Sequence, residues 1–183
     1  MSMPLATYFT ADDVRALPDD GKRYETVHGE LLVTPAPGGL HQLVVSRLMY
    51  ALAHYLKANG VEALLTSPAD ISWGDDTLVQ PDLFVADLAT WIRTGRWEDI
   101  TTLHLVIEIL SPSSLRADRF TKRRLYQERM IPAYWIVDID NAQVEVWTPE
   151  ALFPVIEQAE LRWRHPAVAG ECTIDLREIF RTA

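Results

Sequence analysis

Two acids stand where acids are costly. Asp82 lies in Leu78–Ala86, LVQPDLFVA, and Glu108 lies in Leu103–Leu110, LHLVIEIL; each is the single charge in an otherwise apolar run. A carboxylate in such a run needs a cation, a metal or a proton beside it. If the two runs are neighbouring strands, their carboxylates converge on one oxygen-seeking divalent ion, with water and phosphate oxygens completing the shell. Such an ion acidifies water and offsets charge on a scissile phosphate. After Glu108 the chain turns at Ser111-Pro112 and becomes basic. Residues 115–129 carry Arg116, Arg119, Lys122, Arg123, Arg124 and Arg129 against Asp118 and Glu128. An ammonium from Lys122 can orient an attacking water or stabilise charge developing on phosphorus. The plainer readings stand beside these. A lone strand acid also occurs paired with a buried Arg or at a strand end facing water, and cations on a helix face are usually solvated.

These residues need a scaffold, and the patterning supplies one. Leu103–Leu110 reads as a strand buried on both faces, with Ser113 or Ser114 as the N-cap of the basic helix. Thr10, followed by Asp13, caps a short first helix. Arg23–Val33 reads as a β-hairpin turning at His28-Gly29. Its acids Glu25 and Glu30 read first as solvated hairpin residues, with one of them able to point into a site built elsewhere. His41–Lys57 has the apolar three-to-four repeat of an amphipathic helix closed by Asn59-Gly60; His41 in its first turn is either a surface residue or a functional one. Val61–Leu65 and Ala69–Trp73 read as short strands, Leu78–Ala86 as one strand, and Asp87–Trp97 as a cover for a sheet edge. Ala133–Val137 and Gln143–Trp147 form a second hairpin, Leu161–Trp163 a further strand, and Ile174–Phe180 a terminal helix. The order predicts an α/β or α+β fold with a mixed central sheet flanked by helices. Residues 1–183 are expected to form one domain, with 1–22 as an N-terminal helical appendage.

Composition excludes several classes. The 183 residues are 48% hydrophobic and 23% charged, with a net charge of −9 and one cysteine, Cys172. No disulfide within the chain or cysteine zinc site is possible. No signal peptide and no apolar run of about 18 residues is present, so a cytoplasmic protein without a membrane span is expected. Gly-rich phosphate loops, HExxH and GxSxG patterns are absent.

Taken together, RYETVHGELL, HQLVVSRL, VQPDLFV, VIEILSPSS, the Asp118-x-x-x-Lys122 pair, Tyr126 and IPAYWIVD resemble the Uma-type restriction-endonuclease family of the PD-(D/E)XK nuclease superfamily. The resemblance runs from about Tyr24 to Trp147, with an echo at Asp175–Phe180. It implies a restriction-endonuclease-like core and a Mg²⁺- or Mn²⁺-dependent endonuclease acting on DNA, read as duplex, with a homodimer as the way to cut both strands. It further implies Asp82 and Glu108 as metal ligands, with the Ile109 carbonyl as a third. The superfamily lysine would fall at position 110, where Leu110 stands; Lys122 is the matching position on the following helix, held by Asp118 one turn earlier. Glu25, Glu30 and His41 match other characteristic positions. Arg116, Arg119 and Arg123 are candidate nucleic-acid contacts, as are Arg93 and Arg96. The competing reading is a catalytically silent nuclease fold that binds nucleic acid or a protein partner, favoured by the net negative charge; hydrolysis of RNA or a small nucleotide is a third.

Overall fold

The computed structural model describes residues 8–181. Of the expected N-terminal appendage, residues 1–7 lie outside the described residues. Helix α1 (Ala11–Arg15) starts at Thr10, whose hydroxyl accepts from the Asp13 N–H while the Asp13 carboxylate accepts from the Thr10 N–H. Strands β1 (Arg23–Val27) and β2 (Glu30–Thr34) form the predicted hairpin. His28 and Gly29 take φ of 50° and 80°, the pair of positive values that a two-residue hairpin turn requires. Helix α2 (Gly39–Ala58) buries Val44, Leu48, Leu52 and Leu56 along one face.

The expected strand over 78–86 is two strands. After β3 (Leu64–Thr66) and β4 (Ile71–Ser72), β5 (Leu78–Val79) pairs with β1 and β4, whereas β6 (Leu83–Ala86) pairs with β3 and with β7 (Leu103–Ile109). The chain changes sheets at Gln80-Pro81-Asp82. Pro81 has no N–H to give a ladder, and the Gln80 N–H donates to a side chain, Glu25 Oε1, at 2.6 Å. Between β6 and β7 lie α3 (Trp91–Thr94) and a 3₁₀ turn (Trp97–Asp99), the latter packed against β4 of the second sheet. Trp91 and Trp97 stack with ring centres 5.5 Å apart and pack on the core, which assigns them to packing.

The basic helix also departs from expectation. Its helical residues begin at Leu115, directly after Ser114, and the turn before them is closed by side chains. The Ser111 hydroxyl accepts from the Ser114 N–H and the Ser114 hydroxyl from the Ser111 N–H, a reciprocal cap. The segment then runs as a π-helix over Ala117–Lys122 before α4 (Arg123–Glu128). Strands β8 (Tyr134–Asp138) and β9 (Gln143–Trp147) follow as predicted. The tail holds β10 (Val155–Glu157), β11 (Glu160–Trp163), β12 (Cys172–Asp175) and α5 (Leu176–Phe180), so Ile174 belongs to a strand rather than to the terminal helix.

The main sheet has six strands in the order β10-β9-β8-β7-β6-β3, with β7 and β8 parallel and the other pairs antiparallel. Four short strands, β2-β1-β5-β4, form a second sheet. Alternation along β7 sorts its side chains. Leu105, Ile107 and Ile109 pack with α2, β12 and α5. Val106 joins Phe84, Tyr134, Leu125 and Tyr126 under the second sheet. Glu108 shares the parity of Val106 and is thereby directed to the side where the hairpin and the π-helix meet. Among the described residues no helix is long and apolar enough to cross a membrane.

Candidate active site

Asp82 sits at the crossing between sheets and is 4% exposed. Its Oδ1 accepts from the Arg23 guanidinium at 2.8 Å, and its Oδ2 from the Ile109 N–H at 2.8 Å and from His41 Nε2 at 3.1 Å. Arg23 opens the hairpin and His41 opens α2, so three separate elements fix one carboxylate. Burial pushes Asp82 up, but His41, the Arg23 guanidinium and the Ile109 N–H together hold its carboxyl down at about 2.

Glu108 is buried, and its Oε1 accepts from Lys122 Nζ and from the Tyr126 hydroxyl, both at 3.0 Å. Lys122 is buried too. Its Nζ lies 2.8 Å from Glu25 Oε2 and 3.6 Å from Asp118 Oδ1. Glu25 thus bridges the Gln80 backbone and Lys122, which is why this hairpin acid points inward. Burial opposes the charge of Lys122, but Glu108, Glu25 and Asp118 outweigh it and hold its pKa up. Burial pushes Glu108 well up, against Lys122 and aided by Asp118 and Asp82; it pushes Asp118 up to about 6.

The π-helix explains how a helix-borne lysine reaches a strand-borne acid. A ladder closed at i→i+5 fits more residues into each turn than an α-helix. Residues four apart therefore lie more nearly above one another, and both Asp118 and Lys122 face inward. Nothing in the amino-acid pattern of 115–124 signals a π turn, and Tyr126 likewise carried no mark beyond its place in the motif string. Arg23 was also missed, although it opens the hairpin with a buried-strand pattern behind it.

Asp82, Glu108, Ile109, Asp118, Lys122, Arg23 and His41 line a cavity of about 360 Å³, closed on one side by the strap 35–38 and on the other by the Ser111–Ser114 turn. The structure brings Glu25 and His41 to this cluster. Glu30 it does not; that residue is exposed beyond the hairpin turn, in a surface groove with Phe120 and Arg124. Two of the expected nucleic-acid contacts are spent inside the protein. Arg119 binds Asp138 and Glu145, and Arg123 lies over the Trp147 ring at 4.7 Å. Arg116 and Arg124 are exposed, as are Arg93 and Arg96, the last paired with Asp99.

The donor set suits a hard divalent cation. Among the described residues, no three His, Cys, Asp or Glu side chains converge as a complete metal cluster. Yet four acids, Glu25, Asp82, Glu108 and Asp118, share two permanent cations, Arg23 and Lys122, so formal negative charge is in excess by two. Asp118 Oδ1 is buried without a hydrogen-bond partner. Mg²⁺ commonly takes only one or two protein carboxylates and fills its shell with water and phosphate oxygens, so an all-oxygen cluster of this kind fits such an ion in chemistry.

Comparison with family models matches residues 11–177 to Uma2, described as "Putative restriction endonuclease". Among solved structures the chain is similar to "a putative nuclease belonging to DUF820 from Anabaena variabilis ATCC 29413". The TM-score is 0.71 and the identity 22%, over 94% of this chain and 97% of that one. At that identity the likeness carries the fold alone. No curated protein matches the sequence.

Proposed function

The chain belongs to the Uma2 restriction-endonuclease family, and on that premise we propose that it is a metal-dependent endonuclease hydrolysing phosphodiester bonds in DNA, with Mg²⁺ or Mn²⁺ as cofactor. The observation that carries the reading is the placement of Lys122 Nζ at 3.0 Å from Glu108 in the cavity that also holds Asp82. Leu110 occupies the usual lysine position and, half-buried, packs against the core instead; a lysine from the following helix arrives at the same acid.

A divalent cation on Asp82, Glu108 and the Ile109 carbonyl would acidify water and offset charge on the scissile phosphate. Lys122, kept an ammonium by three carboxylates, stabilises the negative charge that grows on the phosphate oxygens. Glu25 and Asp118 hold that ammonium in place. Tyr126 donates to Glu108 and fixes its rotamer, while Arg23, His41 and the Ile109 N–H fix Asp82. Positions held by several contacts spend little reorganisation at the moment of reaction.

Incubation of plasmid DNA with the protein and Mg²⁺ or Mn²⁺ tests this. Nicking or linearisation is expected, stopped by a chelator and lost in Asp82→Ala. No cleavage with either metal would overturn the reading and leave the silent binding module in its place.

A further inference from the structure

The cavity over Lys122 has a neighbour that shares part of its wall. A second lobe of about 320 Å³ lies beside it, and the two share Arg23, Pro35, Ala36, Pro37, His41 and Asp82. Asp82 therefore lines both. One lobe ends at the Ser111–Ser114 turn; the other runs toward Lys22, Gln42 and Ser67.

Depth, size and charge restrict what can enter. Asp82, Glu108 and Lys122 are 4%, 2% and 2% exposed, so a reacting phosphate must descend to the floor of the cleft. The phosphates of a duplex run along the ridges of a stiff rod, with a persistence length of about 50 nm, and such a rod does not fold into a slot between two loops. An unpaired strand turns freely at each nucleotide. Each lobe sits at the small end of ligand pockets, roughly 300–1,000 Å³, which suits one nucleotide. Affinity for a duplex grows with the number of phosphates neutralised. The cations that line the cleft, Lys22, Arg23 and Lys122, are each paired with a carboxylate, and the chain carries −9. Gln42 and Ser67 in the second lobe bear hydrogen-bonding groups suited to base edges, while the Gln80 amide is held by Asp70.

We infer that the cleft takes an unpaired DNA strand, one nucleotide in each lobe with the phosphodiester between them over Asp82, and that duplex DNA is a poor substrate. The inference rests on the nuclease reading and narrows its substrate.

The test presents one labelled sequence as single strand, as blunt duplex and as duplex with an unpaired arm, with Mn²⁺, at enzyme excess. The single strand and the unpaired arm are expected to be cut at least about tenfold faster than the duplex. A duplex cut as fast as the single strand overturns this inference and leaves the nuclease reading standing; no cleavage of any form overturns both. Gln42→Trp, on an exposed position of α2, fills the second lobe. It is expected to slow single-strand cleavage about tenfold with an unchanged thermal midpoint, and a wild-type rate in that folded variant would contradict occupation of the second lobe.

Discussion

Lys122 Nζ lies 3.0 Å from Glu108 Oε1, across a separation of 14 residues that includes a Ser-Pro turn and a π-helix. The same ammonium meets Glu25 from the hairpin. One side chain thus ties the main sheet, the second sheet and the helix together, and its removal has both a structural and a catalytic consequence.

Lys122→Met is expected to destabilise the protein by about 3–5 kcal/mol, because it leaves buried carboxylates without their cation. Urea unfolding at neutral pH measures this. A midpoint equal to that of wild type would mean that the surrounding acids carry no charge for the lysine to balance.

Stability is expected to rise as pH falls from 7 toward 4.5. Burial lifts Asp118 from an ordinary 3.8 to about 6 in the folded protein. Between those values the folded state holds a proton that the unfolded state has released, so stability is lost as pH rises through the interval and stays low above it. The upward shift of Glu108 acts in the same sense. For a shift of this size the change is on the order of 2–3 kcal/mol. Asp118→Asn should flatten the profile; a thermal midpoint in wild type that stays level or falls over this range would refute the assignment.

The basic segment divides into structural and solvent-facing arginines. Arg119→Ala strips Asp138 and Glu145 of their cation and is expected to lower the unfolding midpoint, with a cost of about 2–4 kcal/mol given that Arg119 is partly exposed. Arg116→Glu with Arg124→Glu should leave stability within about 0.5 kcal/mol and weaken DNA binding by reversing exposed charge. Filter binding and thermal unfolding on both variants separate the roles. A loss of binding confined to Arg119→Ala in its folded state would reverse the assignment.

The fold was readable where one local rule sufficed. Thr10 with Asp13 marked a helix start, His28-Gly29 a hairpin, and the nearly continuous apolar run Leu103–Leu110 a strand buried on both faces. Asp82 and Glu108 stood out because a charge inside an apolar run demands a reason. What the pattern concealed depended on partners far along the chain. Leu78–Ala86 looks continuous, yet Pro81 hands the chain from one sheet to the other, and the replacement hydrogen bond comes from Glu25, 55 residues away. The π turn has no composition of its own, so the inward aim of Lys122 followed from the chemistry expected beside Glu108 and from the family resemblance, not from any local pattern. Arg119 and Arg123 looked like a phosphate-binding face because their acceptors, Glu145 and the Trp147 ring, lie on a later strand.

The cleavage rate of Glu108→Gln tests the site of chemistry most directly. The amide is nearly the shape of the carboxylate and still accepts from Lys122 and Tyr126, so the fold is expected to survive while the charged ligand is gone. With Mn²⁺ and single-stranded DNA, the predicted result is a fall of at least about 100-fold in single-turnover rate in a variant whose thermal midpoint is no lower than that of wild type. A Glu108→Gln protein that cuts at the wild-type rate would contradict the claim that Glu108, with Asp82 and Lys122, forms the site of chemistry.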